Sequence, residues 1–236
     1  MIIKKAAPAG TAAATEADLA LINKYTLTPL TAEQVYIFAV KLCDNAADRD
    51  HEAFSRATLD GLQKLYVGKP GVFDHCWSAK GQTSRIFRTE LVEDAGGGRA
   101  ALEGETYCYL KAWAYVLRTD ETEDVIKQID GGILREVSVG CQCEKLVCSI
   151  CGNELYSPEC SHHKGAEYDG KTCLGILAGA LDAYEWSFVA VPAQPAAGVT
   201  KGLKPESSNP AGEASADDTA ETEDIVTVEK LRFGGM

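Results

Sequence analysis

The run at residues 34–42 constrains the fold of this chain more than any other stretch. Val35, Tyr36, Ile37, Phe38, Ala39, Val40 and Leu42 follow one another with only Lys41 between them. The run has strand length, and its β-branched and aromatic content suits a pleated backbone. Side chains on a strand alternate between two faces, so a run without polar alternation must be covered on both sides or help to close a barrel. A second run at 106–117, carrying Tyr107, Tyr109, Trp113, Tyr115 and Val116, is the most β-like in the chain. Strands are also predicted at 83–92 and at 183–191, the last ending at Pro192.

Between these runs the pattern changes period. Phe54, Thr58, Leu62 and Leu65 fall on one stripe of a helix expected over about 52–66, capped by Asp50 and stopped by Gly68 and Pro70. A short helix is predicted over 120–130, with Asp120 and Glu123 at capping-box spacing and Gly131 as its end. Five or six strands with two short helices predict a mainly β domain, a bent sheet or closed β-barrel with helices packed outside.

The 236 residues, 45% hydrophobic, suffice for one substantial domain with appendages. A net charge of -12 with no basic patch argues against a nucleic-acid partner. No apolar run has the length to cross a bilayer, and Lys4 and Lys5 are followed by no apolar stretch of the secretory kind. Without export, nine cysteines point to metal binding or free thiols rather than disulfides. Residues 1–24, rich in Ala and Thr, read as a flexible arm or a frayed helix, and 25–201 as the folded domain with a cysteine-rich insert at 141–173. Residues 202–236 read as an acidic disordered tail, since 205–224 carries seven acids and no base.

The stretch Gly131 to Cys141 is a turn followed by a short strand, and it places Ser138 beside Val139 and Gly140. A small hydroxyl on a rigid strand with bare backbone close by suits a nucleophile next to an oxyanion site. Such a hydroxyl needs a base, and His75, one of only four histidines, has the right chemistry near neutral pH. The base in turn needs an orienting acid. Glu185 is the first candidate, because an acid within Tyr184-Glu185-Trp186-Ser187-Phe188 is costly to bury without a partner. Glu136, on the same strand face as Ser138, is the reserve. Cys76 is a weaker nucleophile candidate, since neighbours along an extended segment point to opposite sides.

The ordered set Phe73-Asp74-His75, then Arg135-Glu136-Val137-Ser138-Val139-Gly140, then Tyr184 through Val191-Pro192-Ala193-Gln194-Pro195-Ala196 resembles the prohead maturation proteases of tailed bacteriophages. The resemblance spans about residues 30–200. It implies a β-barrel serine protease fold shared with the herpesvirus assemblins, with Ser138 as nucleophile, His75 as base and Glu185 where the herpesvirus enzymes carry a second histidine. It further implies action on the capsid protein's scaffolding region, and on the chain itself, in the bacterial host cytoplasm within the assembling procapsid. Its own C-terminal tail is a further candidate substrate, and an oligomer is compatible with this setting. A non-enzymatic capsid-assembly or scaffold-associated protein is the alternative. The insert departs from the family in its length and cysteine content.

The insert has its own chemistry. Cys148-Ser149-Ile150-Cys151-Gly152 is a knuckle in which a glycine allows the tight turn that points two sulfurs at one ion. Cys160 and His162 complete a Cys3His set suited to a closed, structural zinc site, with His163, Cys141, Cys143 and Cys173 as substitutes. No His-Glu-x-x-His run exists, which places a zinc hydrolase low.

Overall fold

The computed structural model describes residues 14–96 and 99–200. In chain order these form α1 (Glu16–Ile22), β1 (Val35–Asp44), β2 (Glu52–Phe54), α2 (Arg56–Leu65), β3 (Pro70–Phe73), β4 (Ser84–Glu93) and β5 (Cys108–Leu117). There follow α3 (Glu123–Asp130), β6 (Val137–Cys148), β7 (Glu167–Tyr168), β8 (Lys171–Thr172), β9 (Gly175–Phe188) and β10 (Gly198–Val199). The fold is mainly β, a mixed sheet with a few helices.

The sheet runs β10-β1-β5-β4-β3-β9. Strand β9 takes β2 and β3 in parallel along one edge and β6 antiparallel along the other. The expected closed barrel is not formed. Among the described residues, the two ends of the sheet meet through the single bridge Glu136–Gly198 rather than a ladder. The reason is the brevity of β10, whose two residues pair with Val40 and Lys41 of β1.

Strand β1 is buried on both faces, as a run without alternation requires. Tyr36, Phe38, Val40 and Leu42 enter the main core with Trp186, Phe188, Leu59, Leu62, Ile126 and Ile129. Val35, Ile37 and Ala39 pack on the other face with Ile22, Phe87 and Trp113. That second cluster shows that the described part of the stretch read as a flexible arm or frayed helix is a docked helix. Residues 1–13 lie outside the described residues, but α1 is a capped helix. Thr15 Oγ1 accepts from the Asp18 amide, Asp18 Oδ2 accepts from the Thr15 amide, and Ile22 is fully buried. Three apolar positions on one turn, Leu19, Leu21 and Ile22, were enough to dock it.

Other boundaries also moved. Residues 52–54 belong to a strand, and α2 starts later than expected with Ser55, not Asp50, as its cap; Ser55 Oγ accepts from the Thr58 amide at 3.2 Å. Pairing of Glu52, Ala53 and Phe54 with β9 takes those residues out of helix. Helix α3 has Thr122 as its N-cap with no side-chain cap bond, so the Asp120–Glu123 box is not made. The expected insert at 141–173 is shorter, because β6 continues as a strand to Cys148 and pairs with β9 along its length. Strand β9 begins at Gly175, well before the expected 183, and ends at Phe188. Its first half, with Ala178, Gly179 and Ala180, is too small-residued to signal a strand by alternation. The acidic tail at 202–236 lies outside the described residues.

Helix α2 packs flat on β9 because Gly61 faces Ala180, where a Cβ on Gly61 would come within 2.8 Å of the alanine methyl. The residue after the helix, Tyr66, is fully buried, and its hydroxyl donates to the Gly140 carbonyl at 3.1 Å. The helix thereby braces the strand that carries Ser138.

Candidate active site and candidate metal centre

The register of β6 on β9 builds one polar patch. Val137 and Val139 lie opposite Phe188 and Trp186 and face the main core. Ser138 therefore lies opposite Ser187, and Gly140 opposite Glu185, on the reverse face. Glu185 is buried, yet both its oxygens are engaged. His75 Nδ1 donates to Oε1 at 2.7 Å, and Ser187 Oγ donates to Oε2 at 2.6 Å. A buried carboxylate is costly unless hydrogen-bonded, and these two donors meet that cost. The bare Cα of Gly140 makes the room: a Cβ there would lie 2.3 Å from Glu185 Oε1.

His75 reaches the carboxylate through an unusual turn. Asp74 and His75 both have positive φ, 51° and 53°, in the left-handed region that non-glycine residues rarely adopt. Two successive residues so placed cost on the order of 1–3 kcal/mol each. The turn is held from β9, where the Asp74 amide donates to the Phe188 carbonyl at 3.0 Å and the His75 amide to Ser187 Oγ at 3.0 Å. With Nδ1 fixed, the other ring nitrogen is left on a half-exposed imidazole.

Of the predicted triad, His75 and Glu185 are in direct contact. Ser138 shares their sheet face through its register partner Ser187, but it makes no hydrogen bond to His75 among the described residues. The reserve acid Glu136 is held by backbone, its carbonyl accepting from the Val189 amide at 3.1 Å. Cys76 is exposed beyond the turn. Ser187 was not singled out from the sequence, although its position two residues after Glu185 puts both on one strand face. It is fully buried and joins the acid to the histidine backbone.

Two clefts flank this patch. One of about 270 Å³ is lined by Ser138, Gly140, Asp48, Asp50, Glu52 and Gln194, among others. Within it, burial pushes the Asp48 carboxyl up from its ordinary value, and Glu52 is paired with Lys164. The other cleft, about 390 Å³, lies beside Glu185 and is walled by Trp77, whose ring meets Tyr184 at 5.3 Å.

The second centre sits in the insert. One ligand atom each from Cys148, Cys151, Cys160 and His162 lies within 4.8 Å of the others, so this cluster could hold a metal ion. The knuckle is shaped by Gly152, with φ of 75° and its amide donating to the Cys148 carbonyl at 2.9 Å. Cys151 and Cys160 sulfurs are 3.6 Å apart. Of the substitutes, Cys141 and Cys143 lie on β6 against the main core, and His163 is exposed. Cys173 is fully buried beside Cys148, with sulfurs 3.6 Å apart.

No family model, curated protein or solved structure matches this chain.

Proposed function

We propose that this chain is a serine endopeptidase of the prohead-maturation type, cleaving capsid or scaffold protein and itself within an assembling procapsid in the bacterial host cytoplasm. The hydrogen bond between His75 Nδ1 and Glu185 Oε1, on the sheet face that also bears Ser138, carries the reading. An ionised Glu185 holds the proton on Nδ1 and leaves Nε2 as the basic nitrogen. Nε2 takes the Ser138 hydroxyl proton as Oγ attacks the scissile carbonyl, then returns it to the leaving amine. Water, deprotonated by the same nitrogen, releases the acyl group. The exposed side of the imidazole leaves room for the ring to close on Ser138 when a peptide covers the site.

The expected outcome is serine-dependent truncation of the chain or of a co-expressed capsid protein, read by mass analysis. Ser138→Ala should lower cleavage by roughly a million-fold, and Glu185→Gln by roughly 10⁴-fold. The second reading is a non-enzymatic capsid-assembly component, favoured by the missing hydrogen bond between Ser138 and His75. Identical masses for wild type and Ser138→Ala after co-expression with substrate would select it.

The metal at the insert, on this proposal, is zinc in a structural role. A set dominated by sulfur donors suits zinc over harder cations, and a filled tetrahedron has no position for substrate.

A further inference from the structure

Beside the four donors of the cluster stands a fifth, Cys173, whose sulfur is 3.6 Å from that of Cys148. Resting on the reading of that centre as a zinc site, we propose that Cys173 is the fourth ligand and that His162 stands just outside the coordination shell. The site then has four sulfurs, from Cys148, Cys151, Cys160 and Cys173.

Edge lengths and burial both point this way. Sulfurs at about 2.3 Å from a tetrahedral ion are separated by about 3.8 Å. Cys148 to Cys173 and Cys151 to Cys160 are both 3.6 Å, two opposite edges of such a tetrahedron. Cys148 and Cys173 are also the two fully buried members, packed with Leu155, whereas His162 is half-buried. Chain geometry separates the candidates further. Only Ser161 lies between Cys160 and His162, a tighter spacing than the two to four residues usual between paired zinc ligands. Cys173, by contrast, comes from the returning strand at the neck of the insert. There the Ser149 amide donates to the Leu174 carbonyl at 3.0 Å, and Cys148 is in register with Gly175. Two ligands would thus come from the neck and two from the lobe, and the ion would pin the lobe to the strands.

His162 has other work in this arrangement. Its ring lies edge-on to Tyr168 at 4.5 Å, and Nδ1 is 3.9 Å from the Cys160 sulfur. On this assignment the imidazole lies beside a bound thiolate as an outer-shell neighbour, a position from which such groups orient a ligand.

X-ray absorption on the zinc-loaded full chain tests the assignment. Four sulfurs at about 2.3 Å are expected, with no nitrogen at about 2.0–2.1 Å. Cys173→Ser should reduce the sulfur count to three and weaken zinc binding by about 100-fold or more, while His162→Gln should leave the count at four. Three sulfurs and one nitrogen in the wild-type chain would overturn the assignment while leaving the zinc site standing. A chain that takes up no zinc would overturn both. The wild-type spectrum decides even if Cys173→Ser fails to fold.

Discussion

At the scale of single residues, Gly140 is the most demanding position of the patch. A methyl there would sit 2.3 Å from Glu185 Oε1, so the carboxylate would have to turn away from His75. Gly140→Ala should destabilise the fold by about 1–3 kcal/mol, the range for overpacking a tight site. If the chain is the endopeptidase proposed above, cleavage should also fall by about 100-fold or more, since a displacement of about an ångström in a catalytic group costs that much. Wild-type cleavage in this variant, with a lowered melting temperature, would show that Glu185 need not hold its observed position. The acid itself was legible in the sequence, because a carboxylate within an apolar strand demands a partner. That Gly140 makes room for it was not, because the two residues are 45 positions apart and meet only through the register of β6 on β9.

At the scale of elements, the insert and the sheet are held by different forces. The sheet is packed around Trp186 and its neighbours, whereas the insert buries only Cys148, Leu155 and Cys173 in a cluster of its own. So small an apolar cluster cannot offset the ordering of the residues between 149 and 173, and bound metal would supply that free energy. Chelation should therefore abolish amide protection across 149–173 while β1, β4 and β5 keep theirs, as hydrogen exchange would read. Unchanged protection in the insert after complete chelation would show that it folds without metal. The knuckle was legible from spacing alone, since Cys148 and Cys151 are local. The extent of β9 was not. Ala178, Gly179 and Ala180 carry no alternation, and pairing with β6 and β2 makes them a strand.

At the scale of the whole molecule, two cores on opposite faces of β1 account for the stability of the described residues, and the sheet ends at β10 with the Thr200 amide donating to the Ala39 carbonyl at 3.0 Å. Residues 205–224, with seven acids and no base, have the composition of a segment that cannot bury enough apolar surface to fold alone. A chain ending at Lys201 should accordingly melt cooperatively, within about 4–8 °C of the full chain, a shift that corresponds to about 1 kcal/mol in a small domain. Loss of the cooperative transition would mean that the segment beyond is part of the core. The sequence by itself determined the β-rich class, a first strand with no solvent face unless it closed a barrel, strands at about 83–92 and 106–117, and the residue types able to carry acid–base and metal chemistry. These follow from local composition and periodicity, which short stretches express without reference to the rest of the chain. Only the tertiary structure decided that the sheet stays open, that Asp74 and His75 turn left-handed over the end of β9, that Ser187 completes the patch, and that Cys173 returns to Cys148. Each of those depends on pairing between segments far apart in the chain, and register between distant strands is set by the packing of both faces at once.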